Sequence, residues 1–404
     1  MDSVSNDPER AFRRLPRALA RWKVSTIWRR VRLPFRRKRW IRENERAVIP
    51  FQKSAKPRAE GAVVALGDFD GNTGLSRAAV YEFSRLKAEY PKIEALSLSE
   101  LRPLVEAGKV LDGPPIGTLI LLCQPENLAT LMRAFPPERV AESRRIGLWV
   151  WETPIFPADW RFALDVVHEI WTPSEFSRSV IAPAVAPIPV KLRPHNVTRP
   201  AEIVPFDRAA YGVPEDGFFG LSILDLTACP ARKNPWAHVA AWQAAFGDDP
   251  QRHLIMKLRV SNRTRCVIDE LTEMIAGARN IRLLERELSS AEIAGLQSAA
   301  DVFLSLHRAE GYGLNIRECL EAGVPVLATD FSANAEYGPA FANYHPLPYR
   351  PTRYRDWTGH YPDARFQWAE VEIVAAADEL KRQAARWAVA SALPRPATAA
   401  GGRG

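Results

Sequence analysis

The chain has 404 residues, 47% hydrophobic and 25% charged, an ordinary globular composition with length for two domains that each bury a core. Its net charge of +8 is uneven: residues 1–50 carry fifteen Arg/Lys against five Asp/Glu, a surplus of ten, so the rest of the chain sums to −2. A near-neutral body argues against a nucleic-acid groove, no apolar run reaches the roughly 18 residues of a membrane span, and the basic N-terminus lacks the apolar stretch of a signal peptide.

In chain order, residues 1–58 form a basic, Trp-punctuated leader interrupted by Pro16, Pro34 and Pro50. Its cations interleave with Trp22, Ile27, Trp28, Phe35 and Trp40, a mixture suited to an anionic membrane surface. The run from Gly61 to Leu66 then reads as a buried strand, followed by a Gly-rich turn and a helical pattern from Leu75 to Tyr90. Further apolar runs at Thr118–Leu122, Ile146–Val150 and Glu169–Trp171 make residues 59–195 a strand–helix alternation, the signature of a parallel doubly wound sheet. Six prolines between Ala182 and Pro205 mark an interdomain connection.

A second alternation fills residues 206–350. Strands are expected at Phe218–Leu224, His253–Leu258, Ile281–Leu284, Val302–Leu306 and Val324–Ala328, and helices at Pro235–Phe246, Ser290–Ala299 and Leu314–Ala322. A last helical stretch is expected over 366–391, ahead of an Ala/Pro/Gly tail, 392–404, with the composition of disorder. Cys123, Cys229, Cys266 and Cys319 show no CxxC or Cys/His ligand spacing, and three lie in apolar runs, the pattern of reduced thiols in the cytoplasm.

The most informative segment runs from Asp301 to Asp330. A buried strand ends at Leu306, and a loop with Glu310, Gly311, Tyr312 and Gly313 opens a helix at Leu314-Asn315. A helix start presents free N–H groups and a positive dipole end, suited to a diphosphate, and glycines admit close approach. Glu310 and Glu318 flank that helix start, and carboxylates accept paired sugar or ribose hydroxyls. In the same half, a strand from Phe219 runs into Arg232-Lys233-Asn234-Pro235, and Lys257 ends the next strand. In the first half, Gly67 to Arg77 is a strand–loop–helix passage with Gly71, Asn72 and Gly74. Its Asp68-Phe69-Asp70 also spells the metal-binding D-x-D, in the poor context of a helix-opening loop.

The 301–330 segment resembles the E-x7-E region of the retaining GT-B glycosyltransferases of family four, and Arg232-Lys233-Asn234-Pro235 resembles a form seen in some members. The resemblance covers roughly residues 61–390, is strongest over 218–335, and implies two Rossmann-like domains facing across a cleft, with the last helix crossing back to the first domain. It further implies a nucleotide-sugar donor and a glycan or lipid-linked acceptor, with no cofactor and no metal. Glu310 would contact the transferred sugar, and Glu318 the ribose. The backbone of Gly311, Tyr312, Gly313, Leu314 and Asn315 would hold diphosphate and sugar. Lys233 with Arg232 would neutralise the leaving group, with Lys257 a further candidate. Gly71, Asn72 and Gly74 would approach the phosphates from across the cleft. Trp151 and Glu152, in Gly147-Leu-Trp-Val-Trp-Glu152, would line the acceptor pocket. The commoner family pattern has an Arg just after the strand, where Leu224-Asp225-Leu226 stands here, so the partner of Lys233 is open. GDP-mannose is the first donor expected, with UDP-sugars and a catalytically silent nucleotide-sugar-binding protein as alternatives. The enzyme is expected at the inner face of the cytoplasmic membrane, held there through residues 1–50, with no specific nucleic-acid partner.

Overall fold

The computed structural model describes residues 23–353, 356–361 and 366–392, with side chains from residue 36 onward. The trailing tail and Trp22 fall outside the described residues, and the side chains of Ile27, Trp28 and Phe35 precede those described. The first described element is helix α1 (Lys23–Val48), which runs on through Pro34, where the sequence suggested a break. The half of α1 after Pro34 is docked: Trp40 packs edge-on against Phe162 at 5.7 Å, Arg37 pairs with Asp159, and Val48 is buried, as is Phe51 just beyond the helix.

The first domain alternates β1 (Ala62–Gly67), α2 (Gly74–Glu89), β2 (Glu94–Ser97), α3 (Leu98–Glu106), β3 (Ile116–Leu122), α4 (Pro125–Met132), α5 (Pro137–Val140), β4 (Arg144–Leu148), β5 (Glu169–Thr172), α6 (Glu175–Val185) and β6 (Val190–Leu192). Its six strands are all parallel in the order β2-β1-β3-β4-β5-β6. Strand β3 is buried at all seven positions, which is why it reads as one uninterrupted apolar run.

The second domain contains β7 (Phe218–Asp225), α7 (Pro230–Lys233), α8 (Pro235–Phe246), β8 (Arg252–Arg259), α9 (Cys266–Met274), β9 (Ile281–Leu284), α10 (Ser290–Ala299), β10 (Val302–Ser305), α11 (Leu314–Glu321), β11 (Val326–Thr329), α12 (Ala333–Tyr337) and β12 (Tyr344–Leu347). Its sheet is again parallel, in the order β12-β11-β10-β7-β8-β9. A two-stranded ribbon, β13 (Tyr349–Thr352) with β14 (Trp368–Val371), precedes the last helix, α13 (Ile373–Ala392). The four cysteines are free. No described helix is long and apolar enough to cross a membrane.

The expected crossing of the last helix is corrected. Helix α13 buries Ala376, Leu380 and Ala384 in the second domain's own core, and Trp387 meets Phe218 at 5.8 Å. Its small-residue face fits that core. Aromatic residues just before it cross instead: Tyr361, Phe366 and Trp368 join the first domain's core, as do Cys229, Ala231 and Ala309.

In each sheet the winding order reverses beside its first strand, between β1 and β3 and between β7 and β10. Open α/β sheets bind ligands in the crevice at the carboxyl ends of such strands. The connections leaving β1, β7 and β10 hold Asp68–Thr73, the short helix α7 with Arg232-Lys233, and Glu310–Gly313.

Candidate active site

The loops after β7 and β10 are tied together by their backbones. Arg308 N–H donates to the Arg232 carbonyl at 2.8 Å, and Arg308 Nη1 donates to the Ala231 carbonyl at 2.8 Å. Glu370 fastens the pair from β14, accepting from Arg308 Nε at 2.6 Å and Asn234 Nδ2 at 3.1 Å. Asn234 takes a left-handed φ of 51°, turning the chain from α7 directly into α8.

Lys233 and Arg232 therefore meet Glu310. Lys233 Nζ pairs with Glu310 Oε2, and Arg232 Nη1 donates to Glu310 Oε1 at 3.2 Å. Each of the three side chains is only 13–14% exposed. Burial alone would raise the Glu310 carboxyl, but Lys233 and Arg232 hold it at about 2, so it is ionised at neutral pH. Burial pushes the Lys233 ammonium down, and Glu310 opposes that. Arg232, the chain neighbour of Lys233, shares the carboxylate with it. Arg232 also reaches Glu152 of the first domain at 3.7 Å.

His307 is buried, its ring bonded to Ser305 Oγ at 3.0 Å and to the Phe331 carbonyl at 3.3 Å. Burial lowers its pKa to about 4 although Glu310 opposes the shift. Lys257 lies buried near the carboxyl end of β8; burial lowers its pKa, against Glu287 and Asp225.

The helix start is built by glycine geometry. Gly313 caps α11 with φ 83°, a conformation L side chains rarely adopt. A Cβ on Gly311 would clash with Val150 Cγ1 and lie 3.2 Å from Glu152 Cγ, so this glycine admits the opposite domain. The Gly311 carbonyl accepts from Ser174 Oγ of that domain at 2.9 Å. The Tyr312 side chain turns to the interdomain connection, its ring 4.7 Å from His195, and Leu314 packs with it against Ala78.

Glu318 is also buried but is differently partnered. Arg77 Nη1 reaches Oε2 at 2.8 Å and Tyr81 OH reaches Oε1 at 2.9 Å, both from α2 of the first domain. Gln297 Nε2 donates to Oε2 at 2.8 Å from α10. Arg77 Nη2 adds a bond to Asn315 Oδ1 at 2.7 Å. Arg77, Tyr81 and Gln297 were not singled out in the sequence; Arg77 merely closed the Gly-rich passage.

Other expected residues separate. Gly71 N–H donates to Asp68 at 3.1 Å in a local turn, while Asn72 and Gly74 are exposed at the start of α2. Ser76 Oγ donates to Asp68 at 2.6 Å and Ser99 Oγ to Asp70 at 2.6 Å, so both acids of the D-x-D brace loops. Among the described residues no group of three or more His, Cys, Asp or Glu is placed to hold a metal. Trp151 is a core residue and not the wall of an open pocket. Its Nε1 donates to the Ile155 carbonyl at 2.7 Å, and its ring packs on Trp160 at 4.9 Å and Tyr361 at 5.4 Å.

Solved structures share this architecture. An E. coli trehalose-6-phosphate structure bound with UDP-2-fluoro glucose superposes with TM-score 0.53 at 11% identity, covering 80% of this chain and 91% of that one. The OtsA apo structure gives the same values. The N-terminal domain of Candida albicans trehalose-6-phosphate phosphatase gives TM-score 0.50 at 11% identity, covering 82% and 91%. No family model matches the sequence, and no curated protein matches it. At these identities the likeness is one of fold: the chain has the α/β GT-B architecture, two Rossmann-like domains facing each other.

Proposed function

We propose that this chain is a retaining glycosyltransferase that moves a sugar from a nucleoside-diphosphate sugar to a glycan or lipid-linked acceptor in polysaccharide synthesis, with no metal or cofactor. One observation carries the reading. Lys233, Arg232 and an ionised Glu310 converge where the second sheet's winding reverses, beside the N-terminus of α11. Negative charge builds on the diphosphate as its bond to the sugar breaks, and fixed cations with helix N–H groups stabilise that charge most in a water-poor site. In the donor-free protein Glu310 neutralises these cations. With donor bound, the diphosphate shares them, and Glu310 is free to accept from sugar hydroxyls.

No carboxylate is assigned as a nucleophile, so the reading is front-face displacement. The bond from the anomeric carbon to the diphosphate oxygen breaks, and the bond to the acceptor oxygen forms on the same face. The departing phosphate oxygen takes the acceptor proton. The acceptor belongs on the first-domain side, where Glu152 faces Arg232. GDP-mannose is the first donor to try, and the UDP-2-fluoro glucose held by a structural neighbour puts UDP-glucose beside it.

Exposed Arg36, Lys38, Arg39, Arg42 and Arg46 on α1 support a peripheral site on the anionic cytoplasmic face of a membrane, next to a lipid-linked acceptor. The test is a donor screen by mass spectrometry with purified full-length protein and polyprenyl-linked acceptors. One donor is expected to lose its sugar, and the acceptor to gain that mass. Slow hydrolysis of the donor without acceptor separates an enzyme from a silent binding protein, and no consumption of any donor removes the proposal.

A further inference from the structure

The clasp on Glu318 is the feature that goes furthest beyond this reading. Three side chains saturate one carboxylate, and two of them, Arg77 and Tyr81, come from the opposite domain at 2.8 and 2.9 Å. Arg77 also holds Asn315, so a single guanidinium bridges two successive turns of α11. The space around the clasp is a cavity of about 20 Å³, lined by Arg77, Tyr81, Gln297, Glu318 and others. That volume holds about one water and no nucleoside. Arg77 Nε is buried there with no hydrogen-bond partner among the described residues, so the clasped arginine is incompletely satisfied.

We infer that the nucleotide of the donor reaches Glu318 by exchanging with Arg77 and Tyr81, and that these two residues therefore set donor affinity. The inference rests on the reading of Glu318 as the ribose-binding carboxylate. A ribose diol offers two hydroxyl donors for the acceptor positions that Arg77 Nη1 and Tyr81 OH fill. Gln297 donates from the carboxylate's own domain and keeps its bond through the exchange, making it the positioning residue. The exchange draws down donor affinity, since a site open only a fraction of the time shows its dissociation constant divided by that fraction. Both bonds are charge-assisted by the carboxylate, and the guanidinium adds its own positive charge, so the arginine contributes more to the clasp than the tyrosine.

The experiment is calorimetric titration of UDP and of GDP into wild type, Arg77→Met, Tyr81→Phe and Gln297→Met, with thermal melts as folding controls. Arg77→Met is expected to tighten the nucleotide that wild type binds by about tenfold (about 1.4 kcal/mol), and Tyr81→Phe by a smaller factor. Gln297→Met is expected to weaken it. In a Glu318→Gln background the Arg77→Met gain is expected to shrink to less than twofold. Unchanged or weaker binding by both Arg77→Met and Tyr81→Phe overturns the exchange while leaving the proposed function standing. Tyr81→Phe removes only a hydroxyl, so it decides the question if Arg77→Met folds poorly. Absence of nucleotide binding by wild type and by every variant overturns the ribose-site reading and the exchange with it.

Discussion

Glu310 and Glu318 lie eight residues apart in one segment, Glu318 buried and Glu310 largely so, yet they are held in opposite ways. Glu310 takes its cations from its own domain, on a loop fastened by backbone bonds at Arg308 and by Glu370. Glu318 takes Arg77 and Tyr81 from the other domain, 241 and 237 positions away in the chain. A carboxylate with local partners keeps its two cations when the domains part, although Arg232 would then lose Glu152. One with partners across the cleft changes its environment whenever they part. The first is suited to chemistry that needs a fixed charge, the second to a site that fills and empties.

The largest effect expected from this contrast is at Lys233. Lys233→Ala leaves the leaving group one cation short and the buried Glu310 carboxylate half-paired. A loss of about 10²–10³-fold in kcat is expected, read by product formation from the donor that the screen selects. A loss confined to KM would move Lys233 from chemistry to binding and break the comparison. At the other end, Glu318→Ala should weaken nucleotide binding by about 1.5 kcal/mol, the low end for charge-assisted bonds because the clasp is lost together with the ribose contact. Calorimetry showing unchanged affinity in a folded variant would take Glu318 out of the site.

A smaller effect sharpens the view of the Glu310 side as a permanently packed environment. His307 and His238 are buried there, and burial pushes both to about 4 from 6.5. Below pH 6.5 the unfolded chain takes up protons that the fold refuses, so stability falls as pH drops from 6.5 towards 4. The limit is about 1.4 kcal/mol per pH unit for each histidine. Denaturant midpoints at pH 7, 6 and 5 should decline, and His307→Gln should flatten the slope by one site. Midpoints independent of pH across this range would show that these rings meet water.

The smallest effect lies outside the cleft. Exposed Arg36, Lys38, Arg39 and Arg42, reversed to Glu, should abolish sedimentation with vesicles rich in anionic lipid and leave turnover on a soluble acceptor unchanged. Point changes are preferable to deletion because Trp40, Val48 and Phe51 pack against the first domain. Undiminished sedimentation would remove the membrane role.

What could be read from the sequence follows the same line between local and distant partners. Strands β3, β7, β8 and β10 are buried along nearly their whole length, so they appear as apolar runs, and the structure moves their ends by at most two residues. The resemblance set Glu310 and Lys233 at one donor, but their direct pairing was not expected, because no strand order could be read from the sequence. The clasp at Glu318 was not, since nothing around Arg77 in sequence marks a residue bound across the cleft. Trp151 misled for a related reason: an aromatic at a strand's carboxyl end looks the same whether it faces a ligand or a neighbouring Trp160. The crossing of the last helix was implied by the resemblance alone; its alanine-rich face packs in the second domain's core, and Tyr361, Phe366 and Trp368 are the residues that cross.

The central claim is that Glu310 serves the reacting end of the donor and Glu318 its nucleotide end. Steady-state kinetics of Glu310→Gln beside wild type test it most directly, because the substitution keeps the shape and removes the charge that Lys233 and Arg232 hold. The account predicts a fall in kcat of about 100-fold or more with KM changed only a few-fold, the pattern of an interaction made chiefly in the transition state. A kcat within a few-fold of wild type, in a variant that folds and binds the donor, would contradict it.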